Sequence, residues 1–178
     1  MRPHFIYNAL MSIYYLCEKD STKAKQVIMD FTAYLRKNFT AIASVDTIPF
    51  SEELEHTRAY LAIEQVQYED ALSITYDILH KEFRLPPLTL QPIVENAIKH
   101  GMDPEHTPLC ITIKTRATKE SSIVTVEDNG SGFSPETESN EPHLALSNIR
   151  ERLKIMLGGT LTAQLKADGG TVVTVIIP

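Results

Sequence analysis

The amino-acid sequence predicts an α+β fold in which a helical segment precedes a domain of sheet and helices. Apolar residues recur every three or four positions through residues 1–69, which is the spacing of one helix face. From Ala71 onward, apolar and polar residues alternate, as expected of a half-buried strand. We therefore predict two domains: a helical region at 1–69 and a mixed domain at 70–178.

Three apolar stripes divide the helical region into three helices. Ser21 is predicted to cap the second helix. Ser51 is predicted to open the third, because the acidic Glu52 and Glu53 suit the positive end of a helix dipole. The stripes consist of Ile6, Leu10, Ile13 and Cys17, then Val27, Phe31 and Leu35, and then Leu54, Leu61 and Tyr68. The tyrosines and methionines of this region follow helical stripes and are predicted to be core or dimer-interface residues.

The mixed domain begins with a strand and continues with a helix that carries unusual polar groups. This helix is predicted over residues 85–101, since Pro86 and Pro87 are tolerated at a helix start and Gly101 is a common stop. Two strands, LCITIKT and SIVTVED, follow it, and then come a helix within SNIRERLKIML and a hairpin that turns at the sequence DGG. We expect an antiparallel sheet of at least three strands with helices on one face.

Composition and charge exclude several functional classes. A net charge of -6 argues against a general nucleic-acid or anionic-membrane surface. Cys17 and Cys110 lie far apart in the sequence and fit reduced thiols better than a disulfide framework. The histidines show no ligand spacing with these cysteines, which argues against a zinc site. The opening MRPHFIYNAL is already helix-like and lacks a cap, so we expect the chain to be a fragment of a longer protein.

The stretch LQPIVENAIKHG places polar groups in an otherwise apolar helix. Asn96 and Lys99 are three residues apart, and Asn96 and His100 are four apart, so these pairs share a helix face. An amide oxygen can ligate Mg²⁺, and a lysine supplies a point charge for phosphate. The helix by itself leaves two interpretations open: a phosphate-and-magnesium edge, or a solvated edge.

A second polar stretch, VEDNGSGF, follows the end of a predicted strand. Asp128 can accept a hydrogen bond from an exocyclic amine such as that of adenine. Gly130 and Gly132 allow the backbone to approach a ligand closely. The alternative is an ordinary glycine turn, since Asp-Asn-Gly is a common turn composition. The following SPETESNEPH has no apolar residue, and we expect a loop that can cover a ligand.

Taken in order, these motifs carry a family resemblance. PIVENAIKHG, VEDNGSGF and LSNIRERL resemble the N, G1 and G2 boxes of the GHKL ATPases, which include histidine kinases, Hsp90, gyrase B and MutL. The opening RPHFIYNAL resembles the phosphoacceptor motif of LytS/YehU-type sensor histidine kinases. The resemblance implies a Bergerat-type α/β sandwich with a mixed, mostly antiparallel sheet, preceded by a helical dimerisation and phosphoacceptor region.

The resemblance also implies an activity, namely transfer of the γ-phosphoryl group of Mg-ATP to a histidine. His4 matches the acceptor, Asn96 the Mg²⁺ ligand and Asp128 the adenine-binding aspartate. The remaining matches to the nucleotide site are Lys99, His100, Gly130, Gly132, Asn148, Arg152, Gly170 and Thr171. Asn8 lies one turn after His4 and can orient its imidazole or be a surface amide. Phe5 stands where other histidine kinase groups have an acidic residue, so the base is unassigned. Glu95 is a candidate by position, and the alternative is that it caps or pairs within its own helix.

The resemblance implies partners as well: a homodimer of the full-length protein, a membrane anchor outside this chain, and a response regulator receiver domain, with a LytTR or AraC-type output. One departure stands out. The G2 box usually reads Gly-x-Gly-Leu, and this chain has His143 and Ala145 in place of the glycines. A nucleotide-binding regulatory module without phosphotransfer is therefore an alternative. A GHKL ATPase or serine kinase is a third reading, which the helical segment with His4 disfavours.

Overall fold

The computed structural model describes residues 3–43, 46–102, 108–131, 141–167 and 169–178. The helices are α1 (Pro3–Lys19), α2 (Ser21–Ala43), α3 (Phe50–Tyr68), α4 (Leu90–Gly101) and α5 (Glu141–Leu157), with a 3₁₀ turn at Glu69–Ala71. The strands are β1 (Ile48–Pro49), β2 (Leu72–Ile78), β3 (Arg84–Leu85), β4 (Leu109–Ala117), β5 (Ser122–Asp128), β6 (Thr160–Leu165) and β7 (Thr171–Ile177). Among the helices described, none is long and apolar enough to cross a membrane.

The helical segment is held together by an aromatic cluster. Phe5 of α1 packs edge-on against Tyr34 of α2, with ring centroids 5.0 Å apart, and lies 5.1 Å from Tyr60 of α3. Among the described side chains of α1, Phe5 and Ala9 are buried, whereas Leu10 of the predicted stripe is half exposed. Because α1 is apolar on most of its circumference, spacing alone does not decide which of its faces packs.

The start of α2 differs in detail from the prediction. The carboxylate of Asp20, and not the hydroxyl of Ser21, caps the helix. Its Oδ1 accepts the backbone N–H groups of Thr22 and Lys23 at 3.1 and 2.9 Å. Aspartate and serine are comparable N-cap residues, so adjacent candidates cannot be separated by residue type.

The main sheet has five strands in the order β2-β4-β5-β7-β6. Strands β2 and β4 are parallel, with Leu72 opposite Leu109, and the other three pairs are antiparallel. The parallel pair requires a crossover connection, which α4 provides. The structure thus confirms the predicted mixed, mostly antiparallel sheet.

Helices α4 and α5 cover one face of this sheet. The buried strand residues alternate along β4, β5 and β7, as the period of two requires. They form one core with Ile93 and Val94 of α4 and Leu153 of α5, and this core continues into α3 through Leu54 and Leu61. The domain boundary proposed at residue 69 falls at the 3₁₀ turn and remains a prediction.

The predicted start of α4 was wrong by several residues. Pro86 and Pro87 precede the helix instead of opening it, and α4 begins at Leu90. Leu85 belongs to β3, where it pairs with Ile48 of β1. Residues before proline disfavour the α conformation, and the pairing of Leu85 keeps the chain extended up to the two prolines.

Candidate functional site

The centre of the candidate site is Asp128, the last residue of β5. Its side chain is buried, with 7% exposed. The carboxylate Oδ1 accepts the backbone N–H groups of Gly130 at 3.0 Å and of Thr171 at 3.1 Å. In the described part of the chain no group donates to Oδ2, so this oxygen is available to a ligand.

Burial changes the acidity of this carboxyl group. Desolvation raises the pKa of Asp128, and the N–H groups of Gly130 and Thr171 and the charge of Lys166 partly oppose the rise. The Lys166 Nζ also donates to the backbone oxygen of Asp128 at 3.3 Å. The two backbone amides thus hold the carboxylate in place, and the charge of Lys166 helps them to compensate in part for its burial.

Glycines allow three backbone segments to meet around Asp128. Gly170 has φ +86°, and a Cβ there would lie 2.1 Å from the backbone oxygen of Asp128. A Cβ on Gly130 would lie 2.3 Å from the Cα of Gly101, at the end of α4. No side chain fits at either position, so the sequence requires glycine in both. Gly132, the other predicted G1 glycine, lies outside the described residues.

The polar face of α4 ends at this glycine contact. The Asn96 Nδ2 is buried, and no described residue bonds to it. Lys99 is exposed, and the backbone oxygen of His100 accepts a hydrogen bond from the Ser131 hydroxyl at 3.2 Å. A buried donor without a protein partner costs about 1–3 kcal/mol. A bound phosphate oxygen would satisfy it, or the amide could turn its oxygen towards Mg²⁺; the role of Asn96 as a ligand remains a prediction.

A cleft of about 370 Å³ separates α1 from α4. It is lined by Phe5, Asn8, Tyr34, Tyr60, Glu64, Tyr68, Glu95, Ile98, Lys99 and Met102. Glu95, considered above as a base, accepts a hydrogen bond from Gln91 one turn earlier on α4. Asn8 of the predicted acceptor helix therefore faces the same cleft as Glu95 and Lys99. The side chain of His4 lies outside the described part of the structure.

Two predicted ligand residues lie on α5. Asn148 is exposed. Arg152 is half-buried, and its guanidinium donates to the backbone oxygen of Pro87, at the opposite end of α4 from Gly130. Their roles in nucleotide binding remain predictions. The side chains of His143 and Ala145 are outside the described atoms, but the backbone at both positions is helical, because α5 begins at Glu141.

Some residues of the site escaped the sequence analysis. Lys166 reaches Asp128 from the hairpin, and nothing in its local sequence indicated this contact. Asn129 joins the end of β5 to the start of β4: its Oδ1 accepts the N–H of Cys110 at 2.6 Å and its Nδ2 donates to the oxygen of Pro108 at 3.1 Å. Gly101 was read only as a helix stop, although a glycine paired with Gly130 is also a signal for close backbone contact.

The described residues contain no cluster of three or more histidine, cysteine, aspartate or glutamate side chains that could hold a metal ion. Mg²⁺ bound with substrate phosphates usually needs only one or two protein oxygens and keeps several waters. A single amide from Asn96 is compatible with that mode of binding.

Comparison with known proteins identifies relatives along the whole chain. Residues 86–178 match the family described as histidine kinase-, DNA gyrase B-, and HSP90-like ATPase, and residues 1–72 match the family described as histidine kinase. The Bacillus subtilis protein YwpD is 36% identical over 186 residues, which cover 99% of this chain and 66% of YwpD. The sensor protein LytS of Oceanobacillus iheyensis is 32% identical over 193 residues, which cover 100% of this chain and 33% of LytS.

Solved structures agree with the fold. The nucleotide-free catalytic domain of the histidine kinase ThkA aligns with a TM-score of 0.56 at 18% identity, covering 74% of this chain and 93% of that domain. This likeness confirms the predicted sandwich architecture. The chain spans less than two thirds of the length of YwpD and about one third of LytS.

Proposed function

Because the chain belongs to the family of histidine kinase-, DNA gyrase B- and HSP90-like ATPases, we propose that it is the catalytic core of a two-component sensor histidine kinase. In this proposal the core lies on the cytoplasmic side of a membrane, to which other segments of the full-length protein attach it. It phosphorylates itself on His4 with Mg-ATP and passes the phosphoryl group to an aspartate of a response regulator.

Asp128 would recognise the base of the nucleotide. With Oδ1 committed to two backbone amides, Oδ2 can accept a hydrogen bond from the exocyclic amine of adenine. Gly130 and Gly170 leave room for the ring beside the backbone. Thr171 opens β7 next to the carboxylate, so its backbone borders the same space.

The polar edge of α4 would hold the phosphates. Asn96 offers an amide to Mg²⁺ or to a phosphate oxygen, Lys99 adds a positive charge, and His100 lies one turn beyond Asn96. The substrate ATP supplies the γ-phosphoryl group, and Mg²⁺ neutralises phosphate charge. Phosphoryl transfer needs positioning and charge stabilisation more than covalent help from the protein, and these residues are of the right type for both.

The transfer would take place in the cleft between α1 and α4. One imidazole nitrogen of His4 bonds to the γ-phosphorus while the bond from that phosphorus to the bridging oxygen breaks, and ADP leaves with the electron pair. The phosphoimidazolium then gives up its proton, for which Glu64 and Glu95 of the cleft are candidate acceptors. The observation that carries the proposal is that Asn8 of the acceptor helix and Lys99 of α4 line one cleft.

An apolar surface on the first two helices supports a dimer. The exposed side chains include Tyr7, Leu10, Met11, Tyr14, Tyr15, Ile28 and Met29, each at least 43% exposed. Large contiguous apolar surface is uncommon on monomers. We propose that a second copy of the protein covers it, and that a receiver domain, with a LytTR or AraC-type output, takes the phosphoryl group from His4.

A regulatory module without phosphotransfer is the second candidate. The observation in its favour is the helical backbone at His143 and Ala145, where the family pattern has a glycine-rich segment. Glycine amides of such a segment approach phosphates more freely than those of residues with a side chain.

Incubation of the protein with γ-labelled Mg-ATP tests the proposal. Acid-labile, alkali-stable label that disappears in His4→Gln and persists in His106→Gln is the expected result. Label that survives in His4→Gln contradicts the assignment of the acceptor. Nucleotide binding without label favours the regulatory module, and acid-stable label indicates a serine kinase.

A further inference from the structure

A carboxylate from the helical segment caps the helix that carries Asn96. Glu53 lies in the first turn of α3 and is 0% exposed. Its Oε2 accepts the N–H of Leu88 at 3.0 Å, and its Oε1 accepts the N–H of Leu90 at 2.8 Å. The local N-cap residue, Thr89, makes no side-chain bond to the helix, since its hydroxyl donates to the oxygen of Pro86 at 2.6 Å.

The free N–H groups at the start of a helix normally find a partner in the preceding loop. In α4 that partner comes from another helix, more than thirty positions earlier in the chain. The negative charge of Glu53 also suits the positive end of the α4 dipole. Burial of the Glu53 side chain raises its pKa, and the hydrogen bonds from the backbone N–H groups of Leu90 and Leu88 are the main contributions that lower this pKa.

Two further contacts converge on the same turn. The Gln91 Nε2 donates to the hydroxyl of Tyr34 on α2 at 3.0 Å. Arg152 of α5 donates to the oxygen of Pro87. Burial lowers the pKa of Arg152, and the charge of Glu53 raises it, so the two charges lie close to each other. We call Glu53, Tyr34, Arg152 and the turn at 87–91 the α4 anchor.

We propose that Glu53 is a positioning residue, through which the helical segment sets the place of α4 and thereby of Asn96 at the nucleotide site. The inference rests on the proposed nucleotide site. Helix α4 has 12 residues, a length of about 18 Å, and Asn96 is about 9 Å along it from Leu90. A helix of this length moves as one body, so a shift of α3 is carried to Asn96.

The proposal predicts coupling in both directions. A movement of α3 changes nucleotide affinity, and a bound nucleotide stabilises the α4 anchor. A cap with a structural role alone would change stability without either effect.

Three variants test the coupling. Glu53→Gln keeps the side-chain shape but turns an amide NH₂ towards one of the two backbone N–H groups, so one contact becomes repulsive. Glu53→Asp keeps the charge with a shorter reach. Glu52→Gln removes an exposed carboxylate from the same helical turn and is the matched control. Circular dichroism establishes that each variant is folded.

Two readouts are measured on each protein: the Kd of a fluorescent ATP analogue with Mg²⁺, and amide hydrogen exchange of a peptide spanning residues 86–91. We expect Glu53→Gln to weaken binding about tenfold, Glu53→Asp to weaken it less, and Glu52→Gln to match the wild type. Nucleotide should slow exchange at 86–91 in the wild type and not in Glu53→Gln.

A folded Glu53→Gln that binds the ATP analogue with wild-type affinity would overturn the proposal. It would also be overturned if nucleotide did not change the rate of hydrogen exchange at 86–91 in the wild type. If Glu53→Gln does not fold, wild-type affinity in Glu53→Asp would do the same. These readouts do not depend on phosphotransfer, so a wild type that binds nucleotide without forming phosphohistidine would defeat the proposed kinase function alone. A wild type that binds no nucleotide would defeat both.

Discussion

The two ends of helix α4 satisfy their polar groups in opposite ways. At the N-terminal end, Glu53 and Tyr34 of the helical segment bond to the first turn of the helix, and both are buried. In the C-terminal half, Gly101 lies against Gly130, and the buried amide nitrogen of Asn96, about halfway along the helix, has no partner among the described residues. The N-terminal end is closed mainly by protein groups, although the buried Gln91 Oε1 also has no partner among the described residues. We call it the closed end, and we call the C-terminal half, where we propose that a nucleotide binds, the open end.

This difference shows how a single helix can be held in position at one end and still offer polar groups to a ligand. An unsatisfied buried donor costs stability, and in the proposed nucleotide site a ligand would satisfy that of Asn96. The closed end supplies the rigidity that precise placement of the open end requires. Substitutions at the closed end should act first on stability, and those at the open end first on nucleotide binding.

The largest effect is expected from Gly170→Ala, and it tests how tightly the open end is built. A Cβ at residue 170 would lie 2.1 Å from a backbone oxygen at φ +86°, so β7 and β5 must separate. We expect a loss of at least ~3 kcal/mol in the free energy of unfolding, measured by urea denaturation. Gly158→Ala is the control, because residue 158 has φ +67° but no atom within 4 Å of its added Cβ. A similar loss in both variants would mean that positive φ, and not close packing, requires glycine at 170.

Asp128→Asn is expected to separate binding from stability. The amide oxygen can still accept the N–H groups of Gly130 and Thr171, while an NH₂ group replaces the ligand-facing oxygen. This NH₂ group and the exocyclic amine of adenine are both hydrogen-bond donors, so no bond can form between them. We therefore expect nucleotide affinity to fall by about 100-fold, with little change in thermal unfolding. Titration with a fluorescent ATP analogue measures this. Asp77→Asn, which alters an exposed ion pair with Arg116, should bind as the wild type does, and equal losses in both would point to net charge.

Much of the fold followed from local patterns. Alternation of apolar residues located β2, two strand-like runs located β4 and β5, and the turn sequence DGG located the hairpin of β6 and β7. The resemblance to sensor histidine kinases is confirmed by the family matches and by LytS. The errors have local causes. The start of α4 was missed because Leu85 pairs with Ile48, a contact between distant residues. The cap of α2 was assigned to Ser21 instead of Asp20, because serine and aspartate are comparable N-cap residues and the two are adjacent.

The candidate site was likewise predicted in part. Asp128, Gly130 and Gly170 were found because glycine and aspartate at strand ends leave a sequence signature, and the structure brings them together. Glu53 was read as a first-turn charge of its own helix. Its carboxylate caps a different helix, and no spacing rule connects residues more than thirty positions apart.

A smaller effect is expected from pH, and it sharpens the role of charge at the open end. Burial raises the pKa of Asp128, so the native state holds this proton more tightly than the unfolded chain does. The contribution of Asp128 to stability therefore falls as pH rises from its ordinary pKa through the raised one. Recognition of an amine needs the ionised form, so nucleotide affinity should fall as pH drops through the raised pKa.

Affinity for the ATP analogue, measured in about half-unit steps from about pH 4, the ordinary pKa of an aspartate, up to about pH 8, checks this prediction. Asp128→Asn has no proton to gain at this position and should lose the corresponding part of the pH dependence. If the two proteins give parallel profiles, the titrating group lies elsewhere.

The smallest effect is expected at the closed end, from Tyr34→Phe. The substitution removes the hydroxyl that accepts from Gln91, while the Gln91 Nε2 keeps its bond to Glu95. We expect a loss of about 1 kcal/mol in the free energy of unfolding and unchanged nucleotide affinity, because Glu53 still holds the first turn of α4.

Burial, followed by the charge of Glu95, raises the pKa of Tyr34 to about 12. The unfolded chain then releases this proton at lower pH than the native state, and stability declines as pH rises from 10 towards 12. Urea denaturation at neutral and alkaline pH should show a shallower decline in Tyr34→Phe than in the wild type. A marked loss of nucleotide affinity in this variant would mean that the hydroxyl of Tyr34, and not only the carboxylate of Glu53, positions α4.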